Sequence, residues 1–225
     1  MQTAELVATR HAWHALAEHL LAGDLHRSTG RIGLRVTPGG FGQPEHFVAA
    51  QRRRLRIDGG ELVVLTGDEE DRYPLTTLQA AATAAGTVVG APEGVYELLT
   101  QPDPDAAFAI TAGAAASLGE FFAFGERCLE DVRRVFWRHR PTLLQLWPEH
   151  LDLAGSIGEV NIGASPGDAA IETPYLYVGP WQVPADPWWD QPWGRALRWS
   201  PAMTVADGVA FLAEGLHRAG VQGAG

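Results

Sequence analysis

The chain has 225 residues, enough for one hydrophobic core, and its 46% hydrophobic and 20% charged residues describe a globular rather than a disordered protein. All 17 basic residues are arginine, which excludes mechanisms built on a lysine Schiff base, a lysine general base or a phosphate-loop lysine. Against 27 acidic residues they leave a formal charge of −10, which argues against nucleic acid and anionic membranes as partners; the lone Cys128 excludes an intrachain disulfide and a thiolate metal cluster.

The first ten residues include Glu5 and carry no signal-like apolar stretch, and no later run is long enough to span a bilayer, so a cytoplasmic location is expected. Over residues 4–21, Leu6, Trp13, Leu16, Ala17, Leu20 and Leu21 recur at helical spacing, and Gly23 supplies a stop. Residues 31–36 alternate as a strand, which Pro38, Gly39 and Gly40 break. A hairpin follows, residues 52–57 and 61–65 flanking Asp58-Gly59-Gly60, with Leu55 and Ile57 on one face and Arg52, Arg54 and Arg56 on the other. These arginines are expected to pair with an acidic loop at 68–71.

A helix is expected over 76–85, ending at Gly86. Residues 92–113, rich in Pro, Asp and Gly, read as a connector between two halves of a single domain spanning 1–225. Ser117 with Glu120 reads as a capping box opening a long helix to about residue 138. Strands follow at 143–147, 151–154, 159–162 and 175–178, and Thr204 with Asp207 opens a terminal helix to about His217. Hairpin signals dominate and no βαβ alternation appears. The fold class is therefore α+β, an antiparallel sheet with packed helices, and the repeated order suggests a divergent duplication of a helix–strands–helix unit.

Four groups of residues carry candidate chemistry. Gly163-Ala164-Ser165-Pro166-Gly167 matches the G-x-S-x-G pattern of a nucleophile elbow, but Pro166 lacks the N–H that would hold an oxyanion. Glu149, His150 and Asp152 lie within four residues; on an extended path His150 and Asp152 share a face, which suits a carboxylate-oriented base or half of a metal site. His11, His14 and Glu18 share a helix face, a metal-ligand spacing that a solvated polar face also explains. Trp181, Trp188, Trp189, Trp193 and Trp199 crowd a proline-rich stretch, expected to be mostly buried, that suits an aromatic cage for a sugar or a cation or a staple onto the core.

The segments Leu146-Trp147-Pro148-Glu149-His150-Leu151-Asp152-Leu153-Ala154, Asn161-Ile162-Gly163-Ala164-Ser165-Pro166-Gly167-Asp168 and Pro174-Tyr175-Leu176-Tyr177-Val178 resemble a bacterial family catalogued only as a conserved domain of unknown function. Gly30-Arg31-Ile32-Gly33-Leu34 and Thr37-Pro38-Gly39-Gly40-Phe41-Gly42 extend the resemblance; a phenylalanine of the family pattern is Leu151 here. The resemblance implies no reaction. It directs attention to residues 147–152, residues 161–168 and the tyrosines as a shared pocket; a binding protein would line that pocket with Trp147, His150, Tyr175, Tyr177 and Trp181, with Asn161 and Asp168 at its mouth.

Three readings stand at this point. One is a small-molecule-binding or regulatory protein. The second is an enzyme with His150 as base, Asp152 as its orienting partner and Glu149 as a further acid–base group or metal ligand. The third is an interaction module, a homodimer contact through the tryptophan-rich segment. No cofactor is named by any motif.

Overall fold

The computed structural model describes residues 3–223, an α+β chain with two antiparallel sheets. It forms two compact units, Met1–Glu120 with Leu146–Leu151, and Phe121–Gln145 with Asp152–Gly225. Residues 92–113 therefore lie inside the first unit.

In the first unit, α1 (Thr3–Leu16) runs without a break through a π turn (Ala17–Ala22) into α2 (Gly23–Thr29), so Gly23 does not stop the helix as expected. The stop comes at Gly30, which takes the left-handed φ of 72° that costs glycine least. Leu16, Leu20, Leu21 and Leu25 are wholly buried. Trp13 meets Phe41 edge-on at 5.5 Å, and its indole N–H donates to the Gly59 carbonyl at 3.3 Å.

The strands of this unit are β1 (Arg35–Thr37), β2 (Gly40–Gly42), β3 (His46–Val48), β4 (Gln51–Asp58), β5 (Glu61–Thr66) and β6 (Glu69–Pro74). They pair in the order β1-β2-β4-β5-β6, with β3 also on β4. The expected hairpin is β4–β5, with Leu55 opposite Val64 and Ile57 opposite Leu62. Arg52 pairs with Asp68, and Arg56 lies 3.0 Å from Asp58 and 3.6 Å from Glu70. The acidic stretch is not a loop: Gly67 turns the chain at φ 62°, and residues 69–74 form an edge strand. Opposite-charge pairing across the strands offsets the poor strand propensity of Glu and Asp.

The helix α3 (Leu78–Ala84) is capped by Thr77, whose hydroxyl accepts from the Ala80 N–H. The next helix, α4 (Ala112–Val135), starts five residues before the expected capping box. Thr111 accepts from the Ala114 N–H at 3.3 Å and supplies the cap, so Ser117 and Glu120 lie inside the helix. A 3-10 turn at Trp137–His139 follows, and β7 (Gln145–Trp147) carries the chain back into the first unit, where Leu34 and Leu146 exchange N–H···O=C bonds of 2.9 and 3.0 Å.

The second unit contains β8 (Asp152–Ile157), β9 (Val160–Ser165), β10 (Tyr175–Pro180) and β11 (Arg195–Arg198), in the order β11-β10-β9-β8. The later part of α4 and the terminal helix α5 (Val205–Arg218) cover the face that carries Ala164, Leu176 and Val178. Small residues let the helices close in: a Cβ on Gly125 would lie 2.5 Å from Ala164, and one on Gly208 2.5 Å from the Cys128 sulfur. Thr204 and Asp207 open α5 as expected, and they do so as a capping box. Burial pushes the Cys128 thiol up to about 12, which keeps it a protonated core residue. Among the described residues no helix is long and apolar enough to cross a membrane.

Candidate functional site

Alternation along β9 and β10 sorts the predicted ligand residues onto the sheet face away from the helices. Register pairs Tyr175 with Ser165, Tyr177 with Gly163 and Gly179 with Asn161, so Tyr175, Tyr177, Ser165, Gly163 and Asn161 share that face. Trp181 continues the row two residues beyond Gly179, its backbone N–H donating to the Glu159 carbonyl at 3.0 Å.

Each tyrosine hydroxyl donates to a carboxylate. Tyr175 reaches Asp168 at 2.5 Å, and Tyr177 reaches Asp152 in a short hydrogen bond. Burial first, then the aspartate beside each, raises both phenols well above their ordinary range, so both remain donors. Asp168 in turn accepts from the N–H groups of Ala170 and Ile171 at 2.7 Å, which fixes the loop after β9. Tyr177 lies against Gly163, where a Cβ would come within 2.4 Å of its ring.

The Trp193 ring stacks near Tyr175 at 6.3 Å and stands edge-on to Tyr177 at 5.9 Å. Sequence reading placed it only within the tryptophan cluster, because nothing in the run between the prolines says which indole folds over the tyrosines. Expected burial of that cluster holds for Trp189 but fails for Trp181 and Trp193, which are 64% and 39% exposed. Trp188 stacks on Phe211 and lies under the guanidinium groups of Arg195 and Arg218, at 4.6 and 5.3 Å, and serves as a staple.

Trp181 is held in place despite its exposure. Its indole N–H donates to Asn161 Oδ1 at 3.2 Å, and the Ser156 hydroxyl donates to the same oxygen at 2.8 Å.

The Glu149–Asp152 block departs from expectation. The extended path from Trp147 to Asp152 is replaced by a turn at 148–151, closed by the His150 N–H on the Trp147 carbonyl at 3.4 Å, with Leu151 at φ 51°. Pro148 has no N–H for a ladder, which favours the turn over a continued strand. The two residues thus have no shared strand face: His150 sits exposed in the turn of the first unit, whereas Asp152 begins β8, is 8% exposed and bonds Tyr177. Trp147 is half-buried at the end of β7.

Glu149 meets a different predicted group. Its backbone carbonyl accepts from His14 Nε2 at 3.1 Å, so the face of helix one and the Glu149-His150 turn come together in the first unit. His14 Nε2 is 3.9 Å from Glu18. His11, His14 and Glu18 do not make a metal centre: no group of three His, Cys, Asp or Glu among the described residues is arranged to hold an ion. Ser165 ends β9 and is followed by a loop rather than a helix, unlike a nucleophile elbow.

No family model, no curated protein and no solved structure matches the chain.

Proposed function

We propose that this protein binds a small hydroxyl-rich molecule, a saccharide or polyol, at the outer end of the row formed by Tyr175, Tyr177 and Trp181. The observation that carries the reading is the fixed, exposed indole of Trp181. A flat ring held by its own N–H offers a stacking surface for a sugar ring without the cost of ordering a free side chain, and Asn161 beside it supplies amide donors for hydroxyls. Gly179, between Tyr177 and Trp181, presents no side chain and lies against the Trp193 backbone, where a Cβ would come within 3.2 Å of the carbonyl oxygen, so the exposed stacking surface at this end of the row is the Trp181 ring itself. The formal charge of −10 supports a ligand other than nucleic acid, and the single buried thiol supports a reducing compartment such as the cytoplasm.

Titration of the intrinsic tryptophan fluorescence with methyl glucoside, a disaccharide and glycerol tests the reading. Saturable binding of at least one, weakened about tenfold or more in Trp181→Ala, is the expected result. Absence of saturable binding, or a variant that binds as wild type does, defeats it. The exposed Trp181 and Trp193 also support the rival reading of a homodimer contact; in that case Trp181→Ala changes the sedimentation mass and leaves saccharide titrations flat.

A further inference from the structure

Helix α5 ends at the last rung of the sheet it covers. Over Val178 the helix lies close, and a Cβ on Gly215 would come within 2.7 Å of that side chain. The next pair on the same face is Val160 with Pro180, the first residue of β9 and the last of β10. There the helix stops: the Gly220 N–H donates to the His217 carbonyl at 3.0 Å and the Val221 N–H to the Leu216 carbonyl at 2.9 Å, with Gly220 at φ 87°. A cleft of about 350 Å³ remains between this helix end, the start of β9 and the end of β10. Its lining residues all belong to the second unit, and its volume is that of a site for a small molecule.

The lining is of two kinds. Val160, Pro180 and Val221 are buried and apolar, whereas Glu159 and Gln182 are exposed and polar. Neither the Glu159 carboxylate nor the Gln182 amide has a hydrogen bond or an ion pair among the described residues. The carbonyls of Arg218 and Ala219, at the end of the helix, accept no hydrogen bond among them either. The negative end of the helix dipole thus adds to the charge of Glu159. No arginine or histidine lines the cleft. The basic residues of the last helical turn are engaged elsewhere, Arg218 with Glu214 at 2.7 Å and Asp186 at 3.0 Å, and His217 against the Phe136 ring at 5.3 Å. The cleft therefore favours a cation and opposes an anion.

We propose that this cleft binds a small primary amine in its ammonium form. A primary ammonium carries three N–H donors, and the cleft offers three kinds of acceptor: the Glu159 carboxylate, the Gln182 amide oxygen and the carbonyl end of α5. A short alkyl chain on the amine covers the apolar side formed by Val160, Pro180 and Val221. The site does not rest on the saccharide reading, because alternation turns Pro180 to the helix side of the sheet and Trp181 to the other.

Isothermal titration of the full chain with n-butylammonium, n-butyltrimethylammonium and n-butanoate tests the site. It is run at about 0.15 M sodium chloride, where charges more than about 8 Å away are largely screened and general attraction to an acidic protein gives no saturable heat. Butylammonium is expected to bind saturably, the quaternary ion about tenfold more weakly for want of N–H donors, and butanoate not at all. Glu159→Gln, which keeps the shape, and Ala219→Arg, which sets a cation at the helix end, should each weaken butylammonium about tenfold or more, with thermal melts showing that both variants fold. The comparison of the three probes on wild type decides the matter even where a variant does not fold. Three flat titrations overturn the proposal. So does a quaternary ion or a butanoate that binds as tightly as butylammonium, or a folded Glu159→Gln that binds as wild type does.

Discussion

Burial disfavours the charged form of the His14 imidazole, and the charge of His150 adds to that effect; together they outweigh Glu18 and the carbonyls of Glu149 and Pro148, which favour it. The folded-state pKa accordingly lies below the 6.5 of an unperturbed histidine. Because the unfolded chain then binds the proton more readily, the stability contributed by a neutral His14 is present above about pH 6.5 and is lost as the pH falls below it. The gap in melting temperature between wild type and His14→Gln should therefore narrow from pH 7.5 to pH 5.5. A gap that stays constant across that range would mean that the ring does not titrate against folding.

The helix caps show how far elements were legible. Thr204 and Asp207 read as a helix start, and α5 opens there with a capping box; Ser117 and Glu120 read as a capping box, and α4 runs straight through it. The difference lies upstream. Ala112, Ala114, Ala115 and Ala116 are strong helix formers, and Thr111 offers an equivalent hydroxyl at an earlier start, so the helix nucleates there. Thr204→Ala should cost about 1 kcal/mol in urea unfolding, whereas Ser117→Ala should be neutral or slightly stabilising. Equal losses in the two variants would contradict this assignment of the caps.

Strand positions that depend on alternation were legible in the same way: the β4–β5 hairpin and the row of Tyr175, Tyr177 and Asn161 follow from a period of two and a single register. The shared face of His150 and Asp152 did not, because it assumed an extended chain across Pro148, and a non-glycine residue in the left-handed region is not written in composition. Thr100 gave no signal either. A stretch rich in Pro, Asp and Gly reads as linker, and its tertiary role rests on donors to Glu18 that come from 80 or more residues away.

At the scale of the whole molecule, the division of the chain differs from two halves joined by a linker. The path leaves the first unit within α4, returns at Leu146 and leaves again after Leu151. The short return supplies the Leu146 backbone bonds to Leu34 and the Glu149 carbonyl that His14 uses. A fragment ending at Glu120 lacks all of these, so it should unfold with poor cooperativity, and a synthetic peptide covering Leu146–Leu151 with short flanks should raise its melting temperature when added in trans. A fragment that melts as sharply without the peptide as with it would show that the return segment is dispensable.

This threading sets a timetable for biosynthesis. Nascent domains ordinarily fold in the order in which they emerge, the N-terminal one first. Here the first unit cannot be completed until residue 151 of 225 has left the ribosome, after the whole of α4 has been made. Until then the Leu34 backbone groups lack Leu146, and His14 on α1 lacks the Glu149 carbonyl. The nascent chain thus passes through an interval in which the helix and sheet of this unit remain open to chaperones and proteases, and the length of that interval is governed by the rate of translation through residues 121–151.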